Sequence, residues 1–169
     1  MQYRHLHRWS CGALLQLVPT TWKNIMRHYD MNTPDALARI IVAAMLADGG
    51  LDKTELDSLD RNDVVRRLGM SMQDFDRIVH EFCEDIQVAA LRDHGGQLAL
   101  DRATINQLLS EVGSPELQIA VLGMMLDIAG ANARLSPGEL TLVSQAMTRW
   151  GLELHTVSSH REPIGWPPK

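Results

Sequence analysis

The 169-residue sequence has little of what several classes of protein require. It contains only two cysteines, Cys11 and Cys83, too few for a disulfide framework or a thiolate zinc site. Lysine and arginine total 16 against 21 aspartates and glutamates, which gives a formal net charge of −5. Nucleic-acid binding needs a surplus of clustered lysine and arginine, so we expect no nucleic-acid partner. A reducing, cytoplasmic location fits the cysteine usage best.

Long hydrophobic runs are also missing. The most apolar stretch, residues 117–129, contains Gln118 and Asp127 and falls short of the roughly 20 residues that a membrane span needs. We expect it to be a buried core helix. Residues 1–18 have a basic start and an apolar centre, but no small-residue cleavage pattern follows, which disfavours a signal peptide. This segment is expected either to lie on a membrane surface or to dock as a helix.

The sequence has no motif of a known catalytic class. A phosphate-binding loop, a glycine-rich dinucleotide turn, a nucleophile elbow and an HExxH pair are all absent. His80, Cys83 and Glu84 share one helical face and could ligate a metal, but a helical cysteine is more often a small core residue. The pair Glu84-Asp85 is interpreted as ordinary solvated helix surface. We therefore expect a protein that is not an enzyme.

Helix signals cover most of the chain. Aromatic residues make up only 5% of the sequence, while leucine, alanine and methionine are plentiful, and this composition favours helix over strand. Helix starts are predicted at Thr33-Pro34, after Asp52, at Ser71, at Asp101, at Ser114-Pro115 and at Ser136-Pro137. The predicted core faces are Phe75, Ile78, Val79, Phe82, Ile86 and Ala89 in one helix, Ile105, Leu108, Leu109 and Val112 in the next, and Leu140, Val143, Met147 and Trp150 in the last.

An internal repeat organises these helices. Residues 47–56 and residues 131–140 share a frame of Ala, Asp or Asn, a small residue, any residue, Leu, Asp or Ser, two residues, Glu and Leu. Each copy lies between an almost wholly apolar helix (37–46 and 117–128) and an amphipathic one. A helix that is apolar all round is not stable with a solvated face. We therefore predict that the two apolar helices pair at the centre of the fold.

The predicted fold is all-α, a helical bundle of about seven helices built from two pseudo-repeated helix–loop–helix halves. Residues 1–30 are expected to form an N-terminal helical extension, with a helical piece from about residue 21 to residue 29. Residues 31–152 are expected to form the main helical domain. Residues 153–169 are expected to form a flexible C-terminal tail.

The motif Ala-Asp-Gly-x-Leu-x-x-x-Glu at residues 47–55, with its echo in the second half, resembles the tellurite-resistance TerB-like family over residues 33–152. The resemblance implies a helical bundle with pseudo-two-fold halves and a link to stress response and tellurite resistance, with no enzymatic activity established. Some members lie at the inner face of the membrane, so peripheral membrane association is an alternative to a purely cytoplasmic location. It also implies a divalent-cation site at acidic loop residues, here Asp48, Asp52, Glu55 and Glu139. The second copy departs from the pattern with Asn132, Ala133 and Ser136, which weakens the case for a metal there.

Two interpretations of the acidic loop stay open. Hard cations such as Ca²⁺ or Mn²⁺ take oxygen ligands from carboxylates and carbonyls, although Ala44 and Leu46 occupy the positions of the first two carboxylates of an EF-hand and exclude that motif. The alternative is helix capping, because Asp52-x-x-Glu55 and Ser136-x-x-Glu139 both have the spacing of a capping box. The functional expectation is a stress-response binding or scaffold protein with a protein partner and weak cation binding. The alternative is a metal-free helical protein-interaction domain.

Overall fold

The computed structural model of the chain describes residues 26–47, 63–88, 100–129, 136–158 and 164–166. Within these ranges the regular structure is helical and contains no strand, which confirms the all-α prediction. The helices are α1 (Pro34–Met45), α2 (Val64–Arg67), α3 (Met72–Val88), α4 (Arg102–Ser110), α5 (Pro115–Ala129), α6 (Pro137–Trp150) and α7 (Leu154–Ser158).

The described helix starts at Thr33, Ser71, Asp101, Ser114 and Ser136 lie where the capping residues predict them, and the predicted start after Asp52 lies outside the described residues. Thr33, Ser71 and Asp101 each accept a hydrogen bond from the backbone N–H three residues further on, at distances of 3.3, 3.1 and 2.7 Å. These bonds satisfy amides that have no partner within the helix. After α2 and α6 the chain turns at Gly69 and Gly151, whose φ angles of 69° and 66° suit glycine best.

The two apolar helices pair at the centre, as predicted. Every residue from Ala36 to Leu46 is buried, and α1 contacts α3, α4, α5 and α6. In α5 every residue from 117 to 129 is buried or half-buried, so this stretch is the predicted core helix. None of the described helices combines the length and the apolar character needed to cross a bilayer. The two-fold relation between the halves stays a prediction.

The amphipathic helices bury the predicted faces in two cases. On α3, Phe75, Ile78, Val79, Phe82 and Ile86 are all buried, and on α4 and the turn after it Ile105, Leu108, Leu109 and Val112 are buried. The sixth predicted position of α3, Ala89, lies outside the described residues. These faces close the core around α1, which both helices contact.

The predicted core face of α6 is confirmed at Val143, which is buried, and at Met147 and Trp150, which pack half-buried against the core, but it is wrong at Leu140. Leu140 is 52% exposed, and the buried residues of α6 are Glu139, Leu142, Val143 and Ala146. The cause is a close approach at the start of the helix, where a Cβ added to Gly138 would overlap the backbone carbonyl of Ala47. This contact turns the Glu139 and Leu142 side of α6 inwards and leaves Leu140 on the outside.

Part of the predicted C-terminal tail is folded. Residues 154–158 form α7, which contacts α5 and buries Val157. Trp166 is half-buried beside Gly69, where a side chain larger than hydrogen would collide with the indole ring. The indole N–H donates to the carbonyl of Arg67 at 3.4 Å. Both contacts place tail residues against the bundle.

The corrected face of α6 can be tested with two leucines two positions apart. We expect Leu142→Ala to lower the free energy of unfolding by about 2–5 kcal/mol, because it removes a fully buried side chain and leaves a cavity. Leu140→Ala serves as the control and should change it by no more than about 0.5 kcal/mol. Urea denaturation followed by circular dichroism measures both. A larger loss for Leu140→Ala than for Leu142→Ala would show that Leu140 belongs to the core, as the sequence predicts.

Candidate functional site

The sequence predicts a cation site from four carboxylates, and the described residues include one of them. Asp48, Asp52 and Glu55 lie outside the described residues, as does the second copy of the motif before Ser136. Glu139 is described, and it lies in the first turn of α6. Ala47, against which Gly138 packs, is the last described residue before Asp48.

Glu139 forms the capping box that the spacing predicts. Its Oε2 accepts the backbone N–H of Ser136 at 2.6 Å, and its own N–H donates to Ser136 Oγ at 3.2 Å. The side chain is buried, with the residue only 2% exposed. Its second oxygen, Oε1, is buried and accepts no hydrogen bond from the described residues. Burial of a polar oxygen without such a bond is unfavourable, so one half of this carboxylate is unsatisfied there.

The described part of the chain does not by itself build a metal site. Within it, no group of three or more His, Cys, Asp or Glu side chains is placed to hold a metal. Cys83 packs into the core, as the alternative interpretation had it, while His80 and Glu84 are exposed. A cation at Glu139 would therefore need further ligands from outside the described residues.

A small apolar cavity lies beside Glu139. It has a volume of about 220 Å³ and lies between the end of α1, the start of α6 and α4. Its lining consists of Ala47, Leu100, Ile105, Pro137, Gly138, Thr141 and Leu142. None of these side chains is titratable, so the cavity offers apolar contact and one hydroxyl.

A second cluster, which the sequence analysis missed, surrounds a charge inside α1. Arg39 is 1% exposed, among the most deeply buried large side chains described. It donates through one guanidinium nitrogen to Asp85 at 3.1 Å and through another to Glu111 at 3.5 Å. The Tyr29 ring lies 5.2 Å from the guanidinium carbon, within range of a cation–π contact. One arginine thus joins α1 to α3 and to the end of α4.

The interpretation of Glu84-Asp85 as solvated surface is wrong for Asp85. Asp85 is 5% exposed and faces α1, whereas Glu84 is exposed as expected. Asp85 shares its side of α3 with Phe82 and Ile86, which are both buried. A carboxylate can occupy this position because Arg39 and Arg27 bind it.

Burial raises the pKa of Asp85 and the pKa of Glu111 above their usual range, and the nearby charge of Arg39 opposes both shifts. Burial also raises the pKa of Tyr29, and its hydrogen bond to Glu81 adds to the shift. For Glu81, burial disfavours the ionised form, but hydrogen bonds from Tyr29 and Arg77 outweigh it and lower its pKa. In this cluster, burial therefore disfavours the ionised form of the carboxylates, while nearby positive charge and hydrogen bonds favour it.

Residues 26–32, here called the strap, cross this cluster. Residues 26–30 have no helical structure, so the predicted helical piece up to residue 29 is wrong in its described part. The main chain of the strap is bound by bundle side chains instead. Asp85 accepts the N–H of Arg27 at 3.0 Å, Glu111 accepts the N–H of Tyr29 at 3.4 Å, and Arg39 donates to the carbonyl of Arg27.

The strap ends in a sharp turn at Asn32, which has a positive φ of 62°. Asparagine tolerates this conformation better than most residues. Its N–H donates to the carbonyl of Glu111 at 2.8 Å, and its Oδ1 accepts the N–H groups of Gly113 and Ser114 at 2.7 and 3.0 Å. The turn thus fastens one end of the strap to the connection between α4 and α5.

One signal in the sequence could have revealed the cluster. Arg39 is the only charged residue between Ala36 and Leu46, in a helix that was predicted to be buried all round. A fully buried arginine needs a paired anion, so the presence of carboxylate partners could have been predicted. Their identity could not, because Asp85 and Glu111 lie 46 and 72 residues away.

Comparisons with known proteins add no assignment: no family model matches the chain, and no curated protein and no solved structure matches it.

The contribution of Arg39 to the stability of the fold can be measured with Arg39→Met. This change leaves Asp85 and Glu111 buried without their shared counter-charge, and we expect the free energy of unfolding to fall by about 3–5 kcal/mol at neutral pH. Arg66→Met is the matched control, since Arg66 pairs with Asp63 on an exposed part of the surface. That change should cost less than about 1 kcal/mol. Equal losses in both variants would contradict the assigned role of Arg39.

The stability that Arg39→Met loses should also depend on pH. When the pKa of a carboxyl is raised in the folded state, the free energy of unfolding of the protein falls as pH rises through that pKa. Acidification restores it. Without Arg39 the pKa values of Asp85 and Glu111 rise further, so the loss at neutral pH is larger. We expect the stability deficit of Arg39→Met to shrink as the pH falls from neutral towards the usual carboxyl range, measured by urea denaturation. A deficit that stays constant or grows on acidification would show that these carboxyls are not its cause.

Proposed function

We propose that this chain is a TerB-like, non-enzymatic binding protein of the stress-response type that binds a divalent cation weakly where the start of α6 meets the end of α1. The observation that carries the proposal is Glu139. Its carboxylate is buried, and its Oε1 has no hydrogen-bond partner within the described residues. A bound cation would supply the missing interaction.

The place where the start of α6 meets the end of α1, here called the corner, has the oxygen ligands that a hard cation prefers. Carboxylate and carbonyl oxygens are the ligands of Ca²⁺, and Mn²⁺ accepts them too. The close contact of Gly138 with Ala47 brings Glu139 near the point where the chain leads into Asp48. Asp48, Asp52 and Glu55 are the proposed further ligands. Because the helix N-terminus disfavours positive charge, several carboxylates are needed, and the binding is expected to be weak.

Two features of the structure support binding over catalysis. The cavity next to Glu139 has no titratable side chain in its lining. The buried charges of the Arg39 cluster bond to one another and to main-chain groups of the strap. Such an arrangement is typical of a cluster that fixes structure. We propose a cytoplasmic protein, with peripheral contact to the inner membrane face as the alternative location.

The alternative function is a metal-free helical protein-interaction domain. The observation that favours it is the Ser136–Glu139 capping box, which explains the position of Glu139 without a cation. Leu140, 52% exposed on the outside of the same helix turn, adds apolar surface that a protein partner could cover. The two functions differ in one measurable property, the response to added cation.

The cation proposal predicts a thermal shift. A ligand at ten times its Kd stabilises the folded state by about 1.4 kcal/mol, which corresponds to a rise in Tm of about 3–6 °C for a chain of this size. We expect this rise with millimolar Ca²⁺ or Mn²⁺ in differential scanning calorimetry. Glu139→Gln should abolish it while leaving the Tm without cation nearly unchanged, because glutamine can also complete a capping box.

Glu55→Gln tests the other half of the proposed site and should also remove the response. Glu153→Gln, at an exposed carboxylate far along the chain, serves as the control and should keep the full shift. If the wild-type Tm does not move at millimolar cation, the cation site is refuted and the metal-free alternative stands.

A further inference from the structure

The strap covers a surface formed by α1, α3 and the end of α4, here called the cleft. The cleft binds three main-chain groups of the strap. Asp85 accepts the N–H of Arg27, Arg39 donates to the carbonyl of the same residue, and Glu111 accepts the N–H of Tyr29. An acceptor, a donor and a second acceptor thus meet the N–H and carbonyl of Arg27 and the N–H of Tyr29. Binding through main-chain groups does not depend on the identity of the side chains, and it is how many peptide-binding domains hold extended segments.

The first side-chain position is selective for arginine. The Arg27 guanidinium donates to Glu84 at 2.6 Å, to Asp85 at 3.0 Å and to the carbonyl of Glu81 at 2.7 Å. These three acceptors converge on the planar, five-donor fork that arginine alone presents. A lysine at this position would offer a single nitrogen to the same set of oxygens.

A second position is selective for tyrosine. The Tyr29 ring faces the guanidinium of Arg39, and its hydroxyl donates to Glu81. Between the two positions, the His28 side chain is 72% exposed and contacts Glu111 and Gln107. The cleft therefore distinguishes two positions, Arg and Tyr, separated by one largely exposed residue.

The strap is joined to the bundle mainly through polar contacts. Except for the buried Met26 and the half-buried Tyr29, the side chains of residues 26–30 are exposed. The bundle side of the cleft carries four carboxylates, Glu81, Glu84, Asp85 and Glu111, against two cations, Arg39 and Arg77, the second of which pairs with Glu81 and Asp35. With the strap removed, a net negative, arginine-selective cleft would remain.

We propose that this cleft is a peptide-recognition site for an extended Arg-x-Tyr segment, that the strap is its ligand in cis, and that a protein partner carrying the same motif competes for it. The proposal names an interaction surface and the chemistry of its partner. It does not depend on the cation site, because none of its residues belongs to the corner at Glu139.

The test uses the full chain with the strap weakened by Arg27→Ala and Tyr29→Ala together. The probe is a fluorescent peptide of residues 24–33, followed by anisotropy. The weakened variant should bind the peptide at least roughly tenfold more tightly than the wild type, in which the tethered strap competes at a high effective concentration. A control peptide with alanine at both motif positions should bind neither protein. Affinity should fall with added salt.

Failure has a clear form. Absent binding to the weakened variant, or equal binding of the motif peptide and the control peptide, overturns the proposal. If the double variant does not fold, amide hydrogen exchange of the wild-type chain replaces it. An excess of the motif peptide should then speed exchange at the N–H groups of Arg27 and Tyr29, because it displaces the strap, and unchanged exchange would overturn the proposal as well.

Discussion

The rest of the structure depends on one positive charge placed inside an apolar helix. Arg39 lies in the middle of α1, which contacts four other helices, and water does not reach it. A charge in such a place is tolerated only when anions and hydrogen-bond acceptors surround it. Asp85 from α3 and Glu111 from the end of α4 supply the anions, and the carbonyl of Arg27 supplies a further acceptor. The arginine thus links α1 to α3, to the end of α4 and to the strap. A buried ion pair adds little net stability, but its geometry is demanding.

In the part of the chain that the structure describes, buried carboxylates occur at two places, and their partners differ. Glu139, Asp85 and Glu111 all accept a backbone N–H, from Ser136, Arg27 and Tyr29 respectively. For Asp85 and Glu111, a fully buried guanidinium adds the compensating charge. For Glu139, no cationic partner is found among the described residues. The two places therefore differ in compensating charge and not in hydrogen bonding, since Glu111 Oε2 and Arg39 Nε, like Glu139 Oε1, lack a hydrogen-bond partner among the described residues. The two proposals rest on these separate parts of the molecule.

Local patterns were enough to predict the elements but not their mutual contacts. Caps at Thr33, Ser71 and Asp101, and the faces of α3 and α4, follow from neighbours within one or two turns. The first buried leucine of α6 does not, because Leu140 and Leu142 fit apolar spacing equally well and the choice between them depends on how closely Gly138 approaches Ala47. The strap shows the same limit, since its main chain bonds to residues more than 50 positions away. For the candidate site, the spacing of Ser136 and Glu139 predicted the capping box, whereas the buried and unbonded Oε1 emerges only from tertiary packing.

The Arg39 cluster also constrains how this sequence can diverge. Loss of Arg39 leaves two buried carboxylates without their shared counter-charge, and loss of Asp85 or Glu111 removes one of the two anions that Arg39 binds, so we expect an isolated change at any of them to destabilise the fold. Replacement of all three by apolar residues of similar volume removes the charge problem altogether. Descendants of a common ancestor should therefore carry either the whole triad or none of it. Such joint variation at positions 39, 85 and 111 would mark kinship even between chains whose overall similarity has been erased.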